Sequence, residues 1–479
     1  MSLTLYLIAG YLLLLPLIGL WAFRQSKGEN LKDYFLAGGS VGTIALVFTL
    51  YATQYSGNTL FGFAGNAYRN GLVALFSVAG MSSVIVFFAL YARKIYALAK
   101  AEKFITLTDY LKHRYQHEGL AQLVNMVLVI GLFMYILTNF KAIGLLVEQL
   151  TNGQIPLLQA VMLMAVFMAI YESLGGMRGV ILTDMIQGSL LFIGITSIFF
   201  ITVHYFDGLP QLISAITTQS SSSGQHFTGA DWRKGISLIL MFGLAISIYP
   251  HAVQRVFAAK SWPSLRNSMA VMFFLPLITT LPIILISLAA RLTLPEIEAA
   301  QTDQIVPLYL AQLSAHYPYI DWLVALFMAA GMAAIMSTID SALLSANAAI
   351  TQDVLHARRP DLTERQLTII GRVLTWVLLL SSAYFAANLP QNIWSLMMVK
   401  IEIMAQAMPA VMLGLYLPRL SATPVLAGLI VGLAVTLVLK FGDTGLPLYN
   451  LHAGLWGVGA NLVTLALVSG LTRQKPARA

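Results

Sequence analysis

Residues 40–66 read SVGTIALVFTLYATQYSGNTLFGFAGN. The stretch is apolar at both ends and longer than the roughly 20 residues that a helix needs to cross a bilayer. Its middle, Ala52-Thr53-Gln54-Tyr55-Ser56-Gly57-Asn58-Thr59, is small and polar. Small polar residues can serve close helix packing in a membrane. A whole run of them between long apolar flanks reads instead as an interrupted helix, whose freed backbone groups face a cavity. A second segment, 235–257, carries Gly243 and then Tyr249-Pro250-His251. Proline removes a donor and releases a carbonyl four residues earlier. Two interrupted spans at comparable places in two halves point to a carrier.

The rest of the chain fits this reading. Of 479 residues, 58% are hydrophobic and only 10% are charged, with a mean hydropathy of +0.78. A soluble domain averages about 25% charged residues. The fold class expected is all-α and polytopic, with about thirteen spans. They fall near 3–24, 40–66, 72–98, 119–149, 153–174, 179–206, 235–257, 265–292, 321–353, 367–388, 391–417, 423–441 and 452–471. A barrel would show alternating segments of about ten residues, and none is visible. The run from Leu3 to Phe23 has no basic n-region before it and no small-residue cleavage site, and it is too long for a typical signal h-region, so it reads as a retained helix. No soluble domain is expected after the last span, where a basic tail follows. The polar stretch from Gly208 to Trp232, with its serine run Ser220 to Ser223, reads as an exposed loop.

The formal charge of +8 does not point to nucleic acid, because the basic residues cluster in short loops between apolar runs. One set of loops holds Arg24, Lys27, Lys32, Arg93, Lys94, Lys100, Lys103, Lys112, Arg114, Arg255, Lys260, Arg266, Arg358, Arg359, Arg365, Arg419, Arg473, Lys475 and Arg478. The opposite loops hold Arg69, Arg233, Lys234 and Arg291. The rich side is expected to be cytoplasmic. An odd number of spans then leaves the N-terminus outside and the C-terminus inside the plasma membrane. There is no cysteine, which excludes disulfides and thiolate metal sites. No nucleophile–base set, phosphate-binding loop or metal cluster is visible, so an enzyme is not expected.

The ninth span holds Ala333-Ala334-Ile335-Met336-Ser337-Thr338-Ile339-Asp340-Ser341-Ala342-Leu343-Leu344-Ser345. Helical spacing puts Ser337, Asp340, Ser341 and Ser345 on one face. Hydroxyls and free carbonyls are hard oxygen donors of the kind a hard cation selects. Asp184, in Thr183-Asp184-Met185-Ile186-Gln187, lies one to two turns inside its span and could meet that face. An acid within a span is costly and marks function by default. The alternative is that Asp184 bonds locally and the serines bond their own helix.

At these residues the sequence resembles the sodium:solute symporter family. The matching stretches are Asp33-Tyr34-Phe35-Leu36-Ala37-Gly38-Gly39, Ala52 to Gly57 with Gly62 to Gly71, and Gly175-Gly176-Met177-Arg178-Gly179 with Thr183 to Gln187. Pro250-His251-Ala252-Val253-Gln254-Arg255 and Met336 to Ser341 complete the set. The resemblance implies a LeuT-type inverted-repeat core of ten helices. By that division, 1–39 is an extra helix and cytoplasmic loop, 40–206 the first repeat, 207–234 an external loop, 235–417 the second repeat, and 418–479 two helices and a tail. It implies a sodium site from the carbonyls of Ala52, Tyr55 and Ala334 and the hydroxyls of Ser337 and Thr338. A second sodium site, present in some members, falls on Asp184, Ser337, Asp340 and Ser341. Asp340 stands where certain members with that site have serine. Gln54 stands where proline carriers have an aspartate, which argues against a proline carrier.

The function so implied is sodium-coupled symport of a small organic solute by alternating access. Transporter-like nutrient sensing and proton coupling through Asp184 or Asp340 are the alternatives. Gln54, Ser56, Asn58 and Thr59 on the interrupted helix are candidate solute contacts. Lys141, in Asn139-Phe140-Lys141-Ala142-Ile143-Gly144, is another. A buried ammonium needs a partner. Either a solute carboxylate or a group on another span supplies it. The first choice points to a carboxylate or amino-acid-like solute.

Overall fold

A computed structural model describes residue 10 and residues 35–471, save 152, 223–226, 444 and 446–447. The expected first span at 3–24, the loop basics Arg24, Lys27 and Lys32, and the basic tail after 471 lie outside the described residues. Among the described residues there is no β-strand. A single isolated bridge joins Val41 to Ala259.

In chain order the helices are α1 (Thr43–Gln54), α2 (Ala64–Asn70), α3 (Phe76–Glu102), α4 (Leu107–Tyr115), α5 (Glu118–Leu150) and α6 (Leu157–Tyr205). Then come α7 (Leu209–Ser222), α8 (Gly229–Ile246), α9 (Pro250–Ala258), α10 (Trp262–Ile278), α11 (Thr280–Thr293) and α12 (Ile305–His316). The last six are α13 (Asp321–Ile350), α14 (Glu364–Asn388), α15 (Ile393–Met404), α16 (Met408–Tyr416), α17 (Ala422–Phe441) and α18 (Ala453–Leu471).

The centre of the bundle is α13. Every residue from Phe327 to Ala349 is buried, so over this stretch the helix has no lipid-facing side. A helix apolar all round belongs in such a position. It packs against α5 and α6, and α1 lies against α6, α10 and α13. On the other flank α15 packs on α5 and α8. The pair α17 and α18 is joined to this core through polar groups. Glu402 pairs with Lys440 at 3.0 Å, and the Asn461 amide donates to the Gln406 carbonyl at 2.9 Å.

The span count differs from thirteen. Among the described residues, nine helices are long and apolar enough to cross a membrane, or ten if α8 and α9 form one bent span. Three local causes account for this. The segment 40–66 is divided: α1 has 12 residues and ends at Gln54. The segments 153–174 and 179–206 run together as α6, with no proline between Pro156 and Pro210 to remove a helical donor. The first span is outside the described residues. The loop read at 208–232 is corrected too, since it contains α7. Leu209, Leu212, Ile213 and Ile216 recur at helical spacing, and Leu212 and Ile216 are the pair that is buried.

Candidate functional site

Both interruptions exist, and each has a local cause. After Gln54 the chain turns extended at Tyr55 (φ −102°, ψ 110°), then resumes as a π-helical stretch, Asn58–Phe63, that leads into α2. Helix α5 holds the break from both sides. The Gly57 N–H donates to Asn139 Oδ1 at 3.1 Å, and the Tyr135 hydroxyl donates to the Thr53 carbonyl at 3.0 Å. A Cβ on residue 57 would stand 2.6 Å from that of Ala142, so glycine alone fits. The second break is a 53° bend between α8 and α9. Pro250 supplies no N–H to the Ile246 carbonyl, which instead accepts from the Tyr249 N–H at 3.2 Å.

Opposite the first break lies α13. The Thr338 hydroxyl is 3.1 Å from the Ala334 carbonyl and 3.4 Å from the Ala52 carbonyl. Three of the five expected sodium ligands are thus brought together by two helices far apart in sequence. Tyr55 forms the extended turn beside them. Ser337 is the exception: its hydroxyl donates to Asp184.

The second expected group also converges. Asp184 accepts from Thr49, from Ser337 and, at 3.0 Å, from Arg255 Nη2. The same Nη2 donates to Ser341 Oγ at 2.6 Å. Arg255 also reaches Thr49 Oγ1 at 2.8 Å and the His251 carbonyl at 2.9 Å. Arg255 is 1% exposed. This corrects its reading as a loop charge: it is the guanidinium at the centre of the cluster. Asp340 is fully buried and within hydrogen-bonding reach of Glu172. Glu172 and Arg255 are the site residues that sequence reasoning missed. Each is an ionisable residue beside or within an apolar run, the signal that found Asp184.

A cavity of about 50 Å³ opens beside the break. Gln54, Ser56, Asn58 and Thr59 line it as expected, together with Tyr135 and Lys400. Gln54 Nε2 and both polar atoms of the Asn58 amide have no hydrogen-bond partner among the described residues. Lys141 does not line the cavity and so gives no reason to expect a solute carboxylate. Its ammonium donates to the Leu389 and Gln391 carbonyls at 2.7 and 2.6 Å, in the turn between α14 and α15. Backbone acceptors on another span satisfy it.

The end of the bundle beyond the cavity is tied by Asp303. This acid pairs with Arg69 at 3.2 Å and accepts from the Ile393 N–H at 2.7 Å. At the other end Asp353 accepts from Thr106 at 2.8 Å, and the Asp353 carbonyl accepts from Gln122 at 2.6 Å.

The family model described as "Sodium:solute symporter family" matches residues 34–432. The sodium/pantothenate symporter of Escherichia coli is 28% identical over 442 residues, covering 89% of this chain and 88% of that one. The corresponding protein of Haemophilus influenzae is 26% identical, covering 90% of this chain and 88% of its own. The osmoregulated proline transporter OpuE of Bacillus subtilis is 26% identical, over 89% of this chain and 87% of that one. Among solved structures, a Na+-coupled sialic acid symporter in a substrate-bound outward-open state superposes with a TM-score of 0.83. It is 20% identical and covers 99% of each chain, a likeness of fold. With a family match over most of its length and a bundle of apolar helices, the chain belongs to the sodium:solute symporter family, multi-pass membrane carriers that couple sodium to a small organic solute and are not enzymes.

Proposed function

We propose that sodium is held between the α1 break and α13, by the carbonyls of Ala52, Tyr55 and Ala334 and the hydroxyls of Ser337 and Thr338. The solute occupies the cavity beside Gln54, Ser56, Asn58 and Thr59. The observation that carries this reading is the 3.4 Å separation of the Ala52 carbonyl and the Thr338 hydroxyl. Two oxygens at that spacing can each reach about 2.4 Å from a shared hard cation, at a near-right angle. Occupying the site joins the break to α13, so sodium favours whichever state brings the two together. It shifts the equilibrium only by its differential affinity for the two states. The membrane potential adds about 2.3 kcal/mol per charge per 100 mV to the inward step.

A second cation site falls on Asp184, Ser337, Asp340 and Ser341. Supporting it, Asp184, Asp340 and Glu172 are buried carboxyls gathered in that cluster. The solute is a small carboxylate or an amino-acid-like compound. The names of the relatives, pantothenate and proline symporters, support that class.

The first repeat spans 40–206 and the second 235–417, each opening on an interrupted helix. Residues 1–39 and 418–479 flank them, and 207–234 is external. The Lys and Arg distribution, with Arg255 removed, puts the C-terminus in the cytoplasm and the N-terminus outside the plasma membrane.

The test is uptake into proteoliposomes under a sodium gradient, with choline replacing sodium in the control. Uptake unchanged in choline would overturn the coupling. The three buried carboxyls also favour a second reading, proton coupling, and uptake driven by a pH gradient without sodium would establish it.

A further inference from the structure

Lys400, on α15, is 1% exposed and lines the cavity. Its ammonium lies 3.7 Å from the centre of the Tyr135 ring and 5.1 Å from that of Tyr249. Among the described residues it makes no hydrogen bond and no ion pair. Its neighbour on the same helix, Glu402, is directed away to Lys440. Two residues apart on a helix, the two side chains do not face each other.

A buried ammonium without a counter-charge is expensive. Two aromatic faces recover only part of the cost of desolvating an ion. An anion in the cavity would supply the counter-charge that Lys400 lacks. The rest of the wall narrows the choice. Among the described residues no aspartate or glutamate lines the cavity, so a solute ammonium would face Lys400 and find no acid. Gln54 and Asn58 offer unpaired amide groups, and His251 Nδ1 and the Tyr249 hydroxyl are also without hydrogen bonds. Opposite them stand Met81, Val84, Ile85 and Phe88, which present an apolar surface.

We propose that Lys400 is the counter-ion of the transported solute, and that the solute is a monocarboxylate with hydroxyl or amide groups and no ammonium. This rests on the cavity being the solute site, and it narrows the class stated above by removing amino acids from it. The carboxylate takes the space over Lys400. The neutral polar groups of the solute take Gln54 and Asn58, and its carbon skeleton takes the methionine and aliphatic side.

The experiment is a thermal-shift titration of the purified full chain in sodium. The probes are short branched and hydroxylated monocarboxylic acids, each with its carboxamide and its 2-amino counterpart. In the wild type the acids should raise the melting temperature and the other two series should not. In Lys400→Gln the acids should bind at least about tenfold more weakly, while Lys400→Arg keeps most of the affinity. Amides or amino acids that match the acids in the wild type would overturn the proposal, and this arm needs no variant to fold. So would acids that give no shift, or acid affinity unchanged in Lys400→Gln. Sodium alone, without solute, tests the ion assignment separately and reports that each variant is folded. A missing sodium shift with acid binding intact would remove the ion site and leave Lys400 standing.

Discussion

The Thr338 hydroxyl of α13 and the Ala52 carbonyl at the end of α1 stand 3.4 Å apart, although 286 residues separate them in the chain. A carbonyl at an interrupted helix has no next-turn donor to satisfy it, so a hydroxyl or a cation must. Removing the hydroxyl in Thr338→Ala should raise the sodium concentration for half-maximal uptake about tenfold. Thr338→Ser keeps the oxygen and should stay near wild type. Sodium titration of uptake in proteoliposomes measures both. An unchanged sodium dependence in Thr338→Ala would take the hydroxyl out of the site.

Arg255 and Asp184 form the most deeply buried ion pair described, at 3.0 Å. Truncating one partner leaves the other charged and desolvated, which costs about 3–5 kcal/mol. Arg255→Met and Asp184→Asn should therefore each lower the melting temperature of the purified carrier markedly. The double variant Asp184→Asn with Arg255→Met should fall by less than the sum of the single losses, because the unpaired charge is gone. Strict additivity in that cycle would mean that the pair is not coupled.

Lys141 is held by two backbone carbonyls, so its loss should act on architecture and not on charge selection. Lys141→Ala frees the Leu389 and Gln391 carbonyls at the start of α15. Uptake should fall by a similar factor for acids and for neutral solutes. Parallel uptake of an acid panel and a sugar panel checks this. A loss confined to the acids would return Lys141 to the solute site.

Residue type and run length make the candidate ion-site face legible. Ser337, Thr338 and Asp340 stand out in a segment that is otherwise alanine, leucine, isoleucine and methionine, and the same contrast marks Asp184. The two lysines show where such reading stops. Lys141 and Lys400 are both single cations in apolar spans, and the local sequence does not tell which of them faces the cavity. Helix rotation and the neighbouring turn decide that Lys141 meets carbonyls while Lys400 meets aromatic faces and the cavity. Counted along the chain, Arg255 groups with the loop basics Lys260 and Arg266. The bend at Pro250 turns α9 back into the bundle, and charge counting along a line cannot register a bend. The uncounted span between α1 and α2 has the same origin. The polar run forecast a break, but the length of helix on either side of it depends on how α5 grips Gly57 and Thr53.

That grip yields a last prediction. The Gly57 N–H is bonded to Asn139, and a methyl group at residue 57 would lie 2.6 Å from Ala142 Cβ and 3.0 Å from an Ile335 side-chain carbon. Helices α5 and α13 flank the break so closely that neither can withdraw without disturbing the other. Overpacking of this kind costs about 1–3 kcal/mol. Gly57→Ala should lower the melting temperature and also weaken sodium binding, because pushing the break away from α13 separates Ala52 from Thr338. Ala142→Gly removes the nearest obstructing carbon and should restore part of both properties in the double variant. A Gly57→Ala protein that lost stability but kept its sodium affinity would show that the position of the break and the ion site are independent, and the link between helix interruption and ion binding would then fail.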